Sequence, residues 1–172
     1  MFIAMSFSFG LAIYLLVLMA SYRWTERPLG DYIVRRLKNL LGVFIAGVLY
    51  FVVAQHLTNL YATEHHGVEA FILLGQNGGG VYAFLFWFVQ ILLGSLVPLA
   101  ILFSSLGGSR TWIGIASALV IIGGLAQVYV LIIGGQAYPL LMFPGYEVSS
   151  PFFDGQVASY APSLPEVVLG IG

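Results

Sequence analysis

Charged residues and cysteine are scarce in this 172-residue sequence, and each shortage narrows the class of protein. Only 8% of the residues are charged and 60% are hydrophobic, whereas a soluble domain carries about 25% charged residues. An ordinary water-soluble domain is therefore excluded. Because cysteine is absent, the chain offers no thiolate to zinc or to an iron–sulfur cluster, and it forms no disulfide.

Positive charge is also in short supply. The 6 Lys and Arg are balanced by 7 Asp and Glu, which leaves a formal net charge of −1. A chain without a basic field cannot hold a nucleic-acid backbone by counterion release, so we expect no nucleic-acid partner. Histidine is confined to residues 56–66. Since a haem held between two helices needs a His on each of them, we expect no b-type haem in this chain.

Long apolar runs are what the sequence has in abundance. Four of them contain no Lys, Arg, Asp or Glu and reach the roughly 20 residues that a helix needs to cross a hydrocarbon core. They are Phe2–Tyr22, Leu40–Ala62, Val81–Phe103 and Trp112–Ala137. The sequence therefore predicts an all-α, polytopic bundle of transmembrane helices surrounded by the lipid bilayer.

The cations lie in only two of the connections. Residues 23–38 hold five of them and Arg110 is the sixth, whereas the connection 63–80 and the tail hold acids but no Lys or Arg. The positive-inside rule then places 23–38 and 104–111 in the cytoplasm and puts 63–80 and 138–164 outside. This pattern predicts a multi-pass protein of the cytoplasmic membrane.

The end of the sequence predicts one more helix. Ser163 suits an N-cap, Glu166 occupies the capping-box position, and Pro165 suits a first turn. The apolar run that follows is too short to cross a bilayer, so we expect the start of a fifth span within a larger membrane subunit. The stretch 138–164 is rich in proline and aromatic residues, which favours an extracytoplasmic lid or docking loop.

A polar stripe marks the outer end of the second span. Gln55 and Asn59 lie one helical turn apart, and His56 lies beside them, about 9 Å below the end of the span at 1.5 Å per residue. An imidazole at this depth can exchange a proton with a quinone headgroup, because both of its charge states are accessible near neutral pH. These three residues are the candidate catalytic site. The alternative is a structural His that bonds Asn59 or a neighbouring helix, or that snorkels to the interface.

Two further sets of polar residues have a chemical interpretation. Gln90, Gln127 and Tyr129 form a candidate hydrogen-bonded proton path between the third and fourth spans. The second connection carries side chains of metal-ligating type, namely Glu64, His65, His66 and Glu69. No span carries comparable ligands, so we expect no metal site and predict a solvated interfacial turn or a proton-collecting rim. The glycine-rich segment 75–80 predicts a flexible turn.

Three segments near the end of the chain resemble the closing region of one family of membrane subunits. They are Gly134–Glu147, which contains the run Tyr-Pro-Leu-Leu-Met-Phe-Pro-Gly-Tyr-Glu, then Phe152–Gly155 and Tyr160–Glu166. This region is similar to the NrfD/PsrC (polysulfide reductase) membrane subunits, and within that family to the DsrP and HybB types.

The resemblance implies a subunit of two four-helix bundles without haem. Such a subunit exchanges electrons between membrane quinone (menaquinone or ubiquinone) and a ferredoxin-like iron–sulfur subunit docked outside, within a respiratory or sulfur-metabolism complex of further subunits. This chain resembles the second bundle, whereas the better-supported quinone pocket of the family lies in the first. No quinone-site residue is therefore carried over. A transporter or channel half and a purely structural anchor remain as alternatives, although the lack of charged residues within the spans argues against an ion-coupled carrier.

Overall fold

The computed structural model describes residues 2–62, 66–138 and 162–171, and these ranges contain helices and turns but no strand. Four helices are long and apolar enough to cross a membrane, which confirms the predicted all-α bundle of four spans. The helices are α1 (Phe2–Trp24), α2 (Asp31–Tyr61), α3 (His66–Leu74), α4 (Gly80–Phe103), α5 (Arg110–Ala137) and α6 (Leu164–Ile171).

The four spans close into a ring. Helix α1 packs on α2 and α5, and α4 packs on the same two neighbours from the other side. The tightest approach joins α4 to α5, where a Cβ built on Gly94 would lie 2.4 Å from the Cα of Gly123. Small residues let two membrane helices approach this closely.

The bundle presents apolar side chains outward and encloses polar ones. Ile3 is 75% exposed and Leu125 is 67% exposed, which suits contact with lipid chains. The buried polar residues are Ser8, His56, Glu69, Gln90, Ser95, Ser117 and Gln127. Since polar groups in a membrane protein face the bundle interior, this distribution agrees with the bilayer as the surrounding medium.

Helix α4 changes its hydrogen-bond pattern along its length. It is π-helical over Leu85–Leu96 and α-helical over Val97–Phe103. The change occurs just before Pro98, whose missing N–H removes one backbone donor from the ladder. π-helical turns occur often at functional sites, and this one carries both Phe86 and Gln90.

The two basic connections lie at the same end of the bundle. Arg110 donates a hydrogen bond of 2.6 Å to the carbonyl oxygen of Leu29 and forms an ion pair with Asp31. Lys38 donates to the carbonyl oxygen of Gly107 at 3.1 Å. These contacts confirm that the segments 23–38 and 104–111 share one side. Helix α2 begins earlier than predicted, at Asp31 rather than at residue 40.

The part of the second connection that the structure describes contains a helix, whereas the sequence predicts a solvated interfacial turn or a proton-collecting rim. Helix α3 folds back into the bundle, and its residues Phe71 and Ile72 are buried. The following turn is glycine-rich for a conformational reason, since Gly75 (φ 68°) and Gly78 (φ 91°) both have left-handed backbone angles. The turn predicted over 75–80 is present and contains a short 3₁₀ helix, Gln76–Gly78, flanked by glycines.

The tail is described only in part. The predicted N-terminal cap of α6 is present, because the carboxylate of Glu166 accepts hydrogen bonds from the backbone N–H of Ser163 at 2.6 Å and from its hydroxyl at 2.8 Å. The predicted lid over 138–164 lies mainly outside the described residues. Tyr138 is described, and its ring packs against Phe71 of α3 at 5.8 Å between centroids.

Candidate functional site

A buried polar cluster joins α2 to α3 at the end of the bundle opposite the basic connections. His56 lies near the end of α2 and is 8% exposed. Glu69 lies in the short helix α3 and is 2% exposed. The burial of Phe71 and Ile72 turns α3 toward the bundle and brings the Glu69 carboxylate within reach of α2.

Two short hydrogen bonds fix the Glu69 carboxylate. Its Oε2 lies 2.7 Å from Nδ1 of His56, and its Oε1 accepts a hydrogen bond of 2.7 Å from the side-chain amide of Asn59. Asn59 follows His56 by three residues, which is close to one helical turn, so a single face of α2 supplies both partners. A buried carboxylate requires such partners, because burial without them carries a large desolvation cost.

The geometry determines how the cluster can handle a proton. Since Nδ1 and Oε2 share one hydrogen bond, a carboxylate at Glu69 fixes the tautomer of His56 with its proton on Nδ1. The second ring nitrogen, Nε2, then carries the lone pair and can accept a proton. The resulting imidazolium is stabilised by the carboxylate, as in other histidine–carboxylate pairs that act as general bases.

Aromatic side chains from α4 close the cluster on one side. Phe86 meets the His56 ring edge to face, with 4.8 Å between the ring centroids. The neighbouring Trp87 donates its indole N–H to the carbonyl oxygen of Leu73 at 2.9 Å and so ties α4 to α3. Apolar walls strengthen the electrostatic interaction between the imidazole and the carboxylate because they exclude water.

The structure brings together only part of the predicted stripe. His56 and Asn59 converge, but on Glu69 rather than on each other, and Gln55 is half-buried beside them. His56 bonds a neighbouring helix, as the structural alternative expects, and its buried ring does not snorkel to the interface. The sequence singles out Glu69 only as part of a solvated interfacial turn or a proton-collecting rim, and its burial and its bond to His56 are not predicted. The available signal was a lone acid within the otherwise apolar stretch from residue 67 to residue 74.

The structure brings together two of the three residues of the candidate proton path. Gln90 and Gln127 are buried and line one small cavity of about 10 Å³ at the centre of the four spans. Within the described part of the chain, Oε1 of Gln90 and Nε2 of Gln127 have no hydrogen-bond partner. Tyr129 lies elsewhere and stacks on Tyr82, with 6.2 Å between the ring centroids.

Metal-ligating side chains do not gather in the described ranges. Among these residues no group of three or more His, Cys, Asp or Glu side chains is placed to hold a metal ion. His66 is exposed at the start of α3. Glu64 and His65, the other two members of the set singled out from the sequence, lie outside the described residues.

Comparison with protein families gives one match. The model of the family described as "Polysulphide reductase, NrfD" matches residues 1–139. The match therefore covers all four spans together with α3, and it ends near the start of the tail whose segments carried the resemblance.

Two curated proteins are similar to the chain. It is 29% identical over 174 aligned residues to the Hdr-like menaquinol oxidoreductase integral membrane subunit of Archaeoglobus fulgidus, an alignment that covers 100% of the chain and 43% of that protein. It is 30% identical over 152 residues to the C subunit of the selenate reductase of Mesobacillus selenatarsenatis, covering 87% of the chain and 31% of that protein. The chain thus spans less than half the length of either relative. No solved structure matches it.

Proposed function

The chain belongs to the NrfD (polysulphide reductase) family, and from this premise we propose that it is part of the membrane subunit of a quinone-linked oxidoreductase complex. In this proposal electrons pass between the quinone pool and an extracytoplasmic, ferredoxin-like iron–sulfur subunit. The name of the Archaeoglobus relative, a menaquinol oxidoreductase subunit, favours menaquinol over ubiquinol as the substrate. The name of the second relative, a reductase subunit, agrees with a place in a complex of several subunits.

One observation carries the chemical part of the proposal. The 2.7 Å contact between His56 Nδ1 and Glu69 Oε2 gives the span a buried imidazole whose Nε2 is the basic nitrogen when Glu69 is a carboxylate. Oxidation of a quinol releases two electrons and two protons. We assign both electrons to the iron–sulfur partner, one hydroxyl proton to Nε2 of His56, with Glu69 stabilising the imidazolium, and the second hydroxyl proton to water at the same end of the bundle. Asn59 acts as a positioning residue, since it holds the other oxygen of the Glu69 carboxylate.

The test uses the complete complex in membranes and a water-soluble quinol analogue. The variants His56→Gln and Glu69→Gln remove the proton acceptor and its carboxylate while keeping similar side-chain sizes. We expect His56→Gln to lower quinol turnover by about 100-fold, the usual contribution of a general base. We expect Glu69→Gln to lower turnover by roughly 10–100-fold, the usual cost of removing a group that orients a histidine, and to change the shape of the pH–rate profile.

The matched control is Thr58→Val, in the same turn of α2. Thr58 is exposed and its hydroxyl bonds only the carbonyl oxygen of Ala54 at 2.8 Å among the described residues. This variant should retain full turnover. If complexes that contain His56→Gln or Glu69→Gln at normal levels oxidise quinol at the control rate and with the control pH profile, the proton-acceptor role is refuted. Quinol oxidation that survives deletion of the whole subunit would reject the redox proposal altogether.

We also propose the orientation that the charge pattern predicts, with 23–38 and 104–111 in the cytoplasm. Because the chain contains no cysteine, single cysteines introduced into it report position directly. Ser105→Cys and Gln76→Cys lie at opposite ends of the bundle, and both side chains are exposed. A membrane-impermeant maleimide added to intact cells should label Gln76→Cys alone. Labelling of Ser105→Cys alone would show that the chain has the opposite orientation.

Gln90 and Gln127 supply a second element of the proposal. We propose that a water molecule between them forms part of a hydrogen-bonded proton path. The support is that both amides line one cavity and that each has a polar atom without a protein partner in the described chain. A cavity of this size is near the lower limit for holding one water molecule, and a buried water needs polar partners of this kind.

A further inference from the structure

We infer that the basic end of the bundle contains a binding site for one anionic phospholipid. The site is a cavity of about 540 Å³ between the end of α1, the following loop and the start of α5. Its volume lies within the range of about 300–1,000 Å³ that ligand sites usually occupy. It lies at the end of the bundle opposite the His56–Glu69 cluster and has no part in the proposed quinone chemistry.

The lining changes from apolar to cationic along α1. Leu16, Met19, Ala20 and Arg23 follow one another at helical spacing, and so share one face of the helix. The first three offer a hydrophobic strip to an acyl chain. Arg23 stands where the strip ends, at the last turn of α1.

Three of the residues that line the cavity are arginines, namely Arg23, Arg27 and Arg110. No acidic residue of the described chain lines it. Within the described chain Arg110 uses only Nη2 for its bonds to Leu29 and Asp31, so that Nη1 and Nε can donate to a ligand. A guanidinium binds phosphate oxygens with two parallel hydrogen bonds, which makes a phosphodiester a suitable ligand.

The aromatic residues around the cavity place it at the level of the lipid headgroups. Trp24 follows Arg23 directly and is 90% exposed, and Trp112 is exposed at the start of α5. Exposed tryptophans at the ends of membrane spans lie in the interfacial layer. Basic cavities between spans at this depth bind anionic headgroups. A ligand that fits must therefore combine a phosphate with an acyl chain, and this combination excludes a free nucleotide or an inorganic anion.

The test measures lipid binding to the purified and delipidated complex by native mass spectrometry. The probes are dioleoylphosphatidylglycerol, the zwitterionic dioleoylphosphatidylcholine with the same chains, and soluble glycerol phosphate. We expect one phosphatidylglycerol to bind, and we expect neither of the other two probes to bind or compete. The double variant Arg23→Gln/Arg27→Gln should weaken this binding by roughly 30-fold, since each basic residue near an anionic lipid contributes on the order of 1 kcal/mol.

The matched control is Arg35→Gln/Arg36→Gln, which removes the same charge from the same connection but lies outside the lining of the cavity. It should bind phosphatidylglycerol as tightly as the unmodified complex. A second variant, Ala20→Phe, keeps every charge and fills the acyl strip from an exposed position, so it should also weaken binding without disturbing the core. Equal binding in the two double variants, equal binding of phosphatidylcholine, or competition by glycerol phosphate would each overturn the proposal.

Discussion

The glycine contact between α4 and α5 allows a substitution whose effect can be worked out from distances. In Gly94→Ala the new methyl group would lie 2.4 Å from the Cα of Gly123, whereas nonbonded carbon atoms normally lie about 3.5–4.0 Å apart. The obstructing atom belongs to the backbone, so no rotation of a side chain can relieve the clash. The two helices must therefore separate by about 1 Å at this point to restore normal contact.

That separation affects more than the two glycines. A gap of about 0.5–1 Å already removes a quarter to a half of the attraction between atoms that were in contact. Membrane helices associate largely through such contacts, because lipid provides little hydrophobic driving force between them. We therefore expect Gly94→Ala to destabilise the bundle by about 1–3 kcal/mol, the range observed for overpacked cores.

The assay is thermal or denaturant-induced unfolding of the purified complex in a mild detergent. Gly47→Ala in α2 is the matched control, because a Cβ at that position meets no atom within 4 Å. The control should be neutral or stabilise the helix by up to about 1 kcal/mol, since alanine has the higher helix propensity. Equal stability of the two variants would show that α4 and α5 are not in backbone contact at Gly94.

Two further predictions concern polar contacts of the bundle. Gln90→Leu or Gln127→Leu alone should destabilise the protein by about 1–3 kcal/mol, because each removes one of the two amides proposed to hold the shared water and leaves the other buried amide unsatisfied. The double variant should cost less than the sum of the two single losses. Additive losses in the unfolding assay would contradict a shared water. Arg110→Gln should cost roughly 1–2 kcal/mol in lipid-free detergent through loss of the bond to the Leu29 carbonyl, and added salt should change this little. Asp31→Asn should have a smaller effect that disappears at high salt, since the carboxylate is exposed; a larger, salt-resistant effect would exclude this explanation.

The number and position of the spans follow from the sequence because the bilayer imposes a simple length requirement. A run of about 20 apolar residues has one stable form in lipid, and that form is a helix. The start of α2 was harder to locate, since a helix that leaves the membrane can continue in water wherever its polar residues allow it. Its first turn carries Asp31, which favours a helix N-terminus by its charge, but the apolar run gives no sign of it.

The candidate site was predictable to the extent that it follows helical spacing. His56 and Asn59 share a face of α2 by simple periodicity, whereas their partner Glu69 lies 13 residues beyond His56 on a separate helix. Nothing in local periodicity indicates that α3 folds inward, because the position of α3 depends on contacts of Phe71 with Tyr82 and Tyr138, which lie far from it or on other helices. The buried acid Glu69 comes from a connection and not from a span. The lack of charged residues within the spans therefore no longer argues against an ion-coupled carrier. The family match takes over as the reason to prefer the redox function.

The position of Glu69 in a connection, and not in a membrane span, has a physical advantage. An acidic side chain at the centre of a membrane helix costs about 2.5–3.5 kcal/mol on insertion. The four apolar runs insert without that cost, because Glu69 is carried by the short helix α3 between α2 and α4. When the bundle closes, Phe71 and Ile72 draw α3 inward and the carboxylate meets His56 and Asn59 already aligned on α2. The chain thereby acquires a buried histidine–carboxylate pair without a charged residue in the core of any membrane-spanning segment.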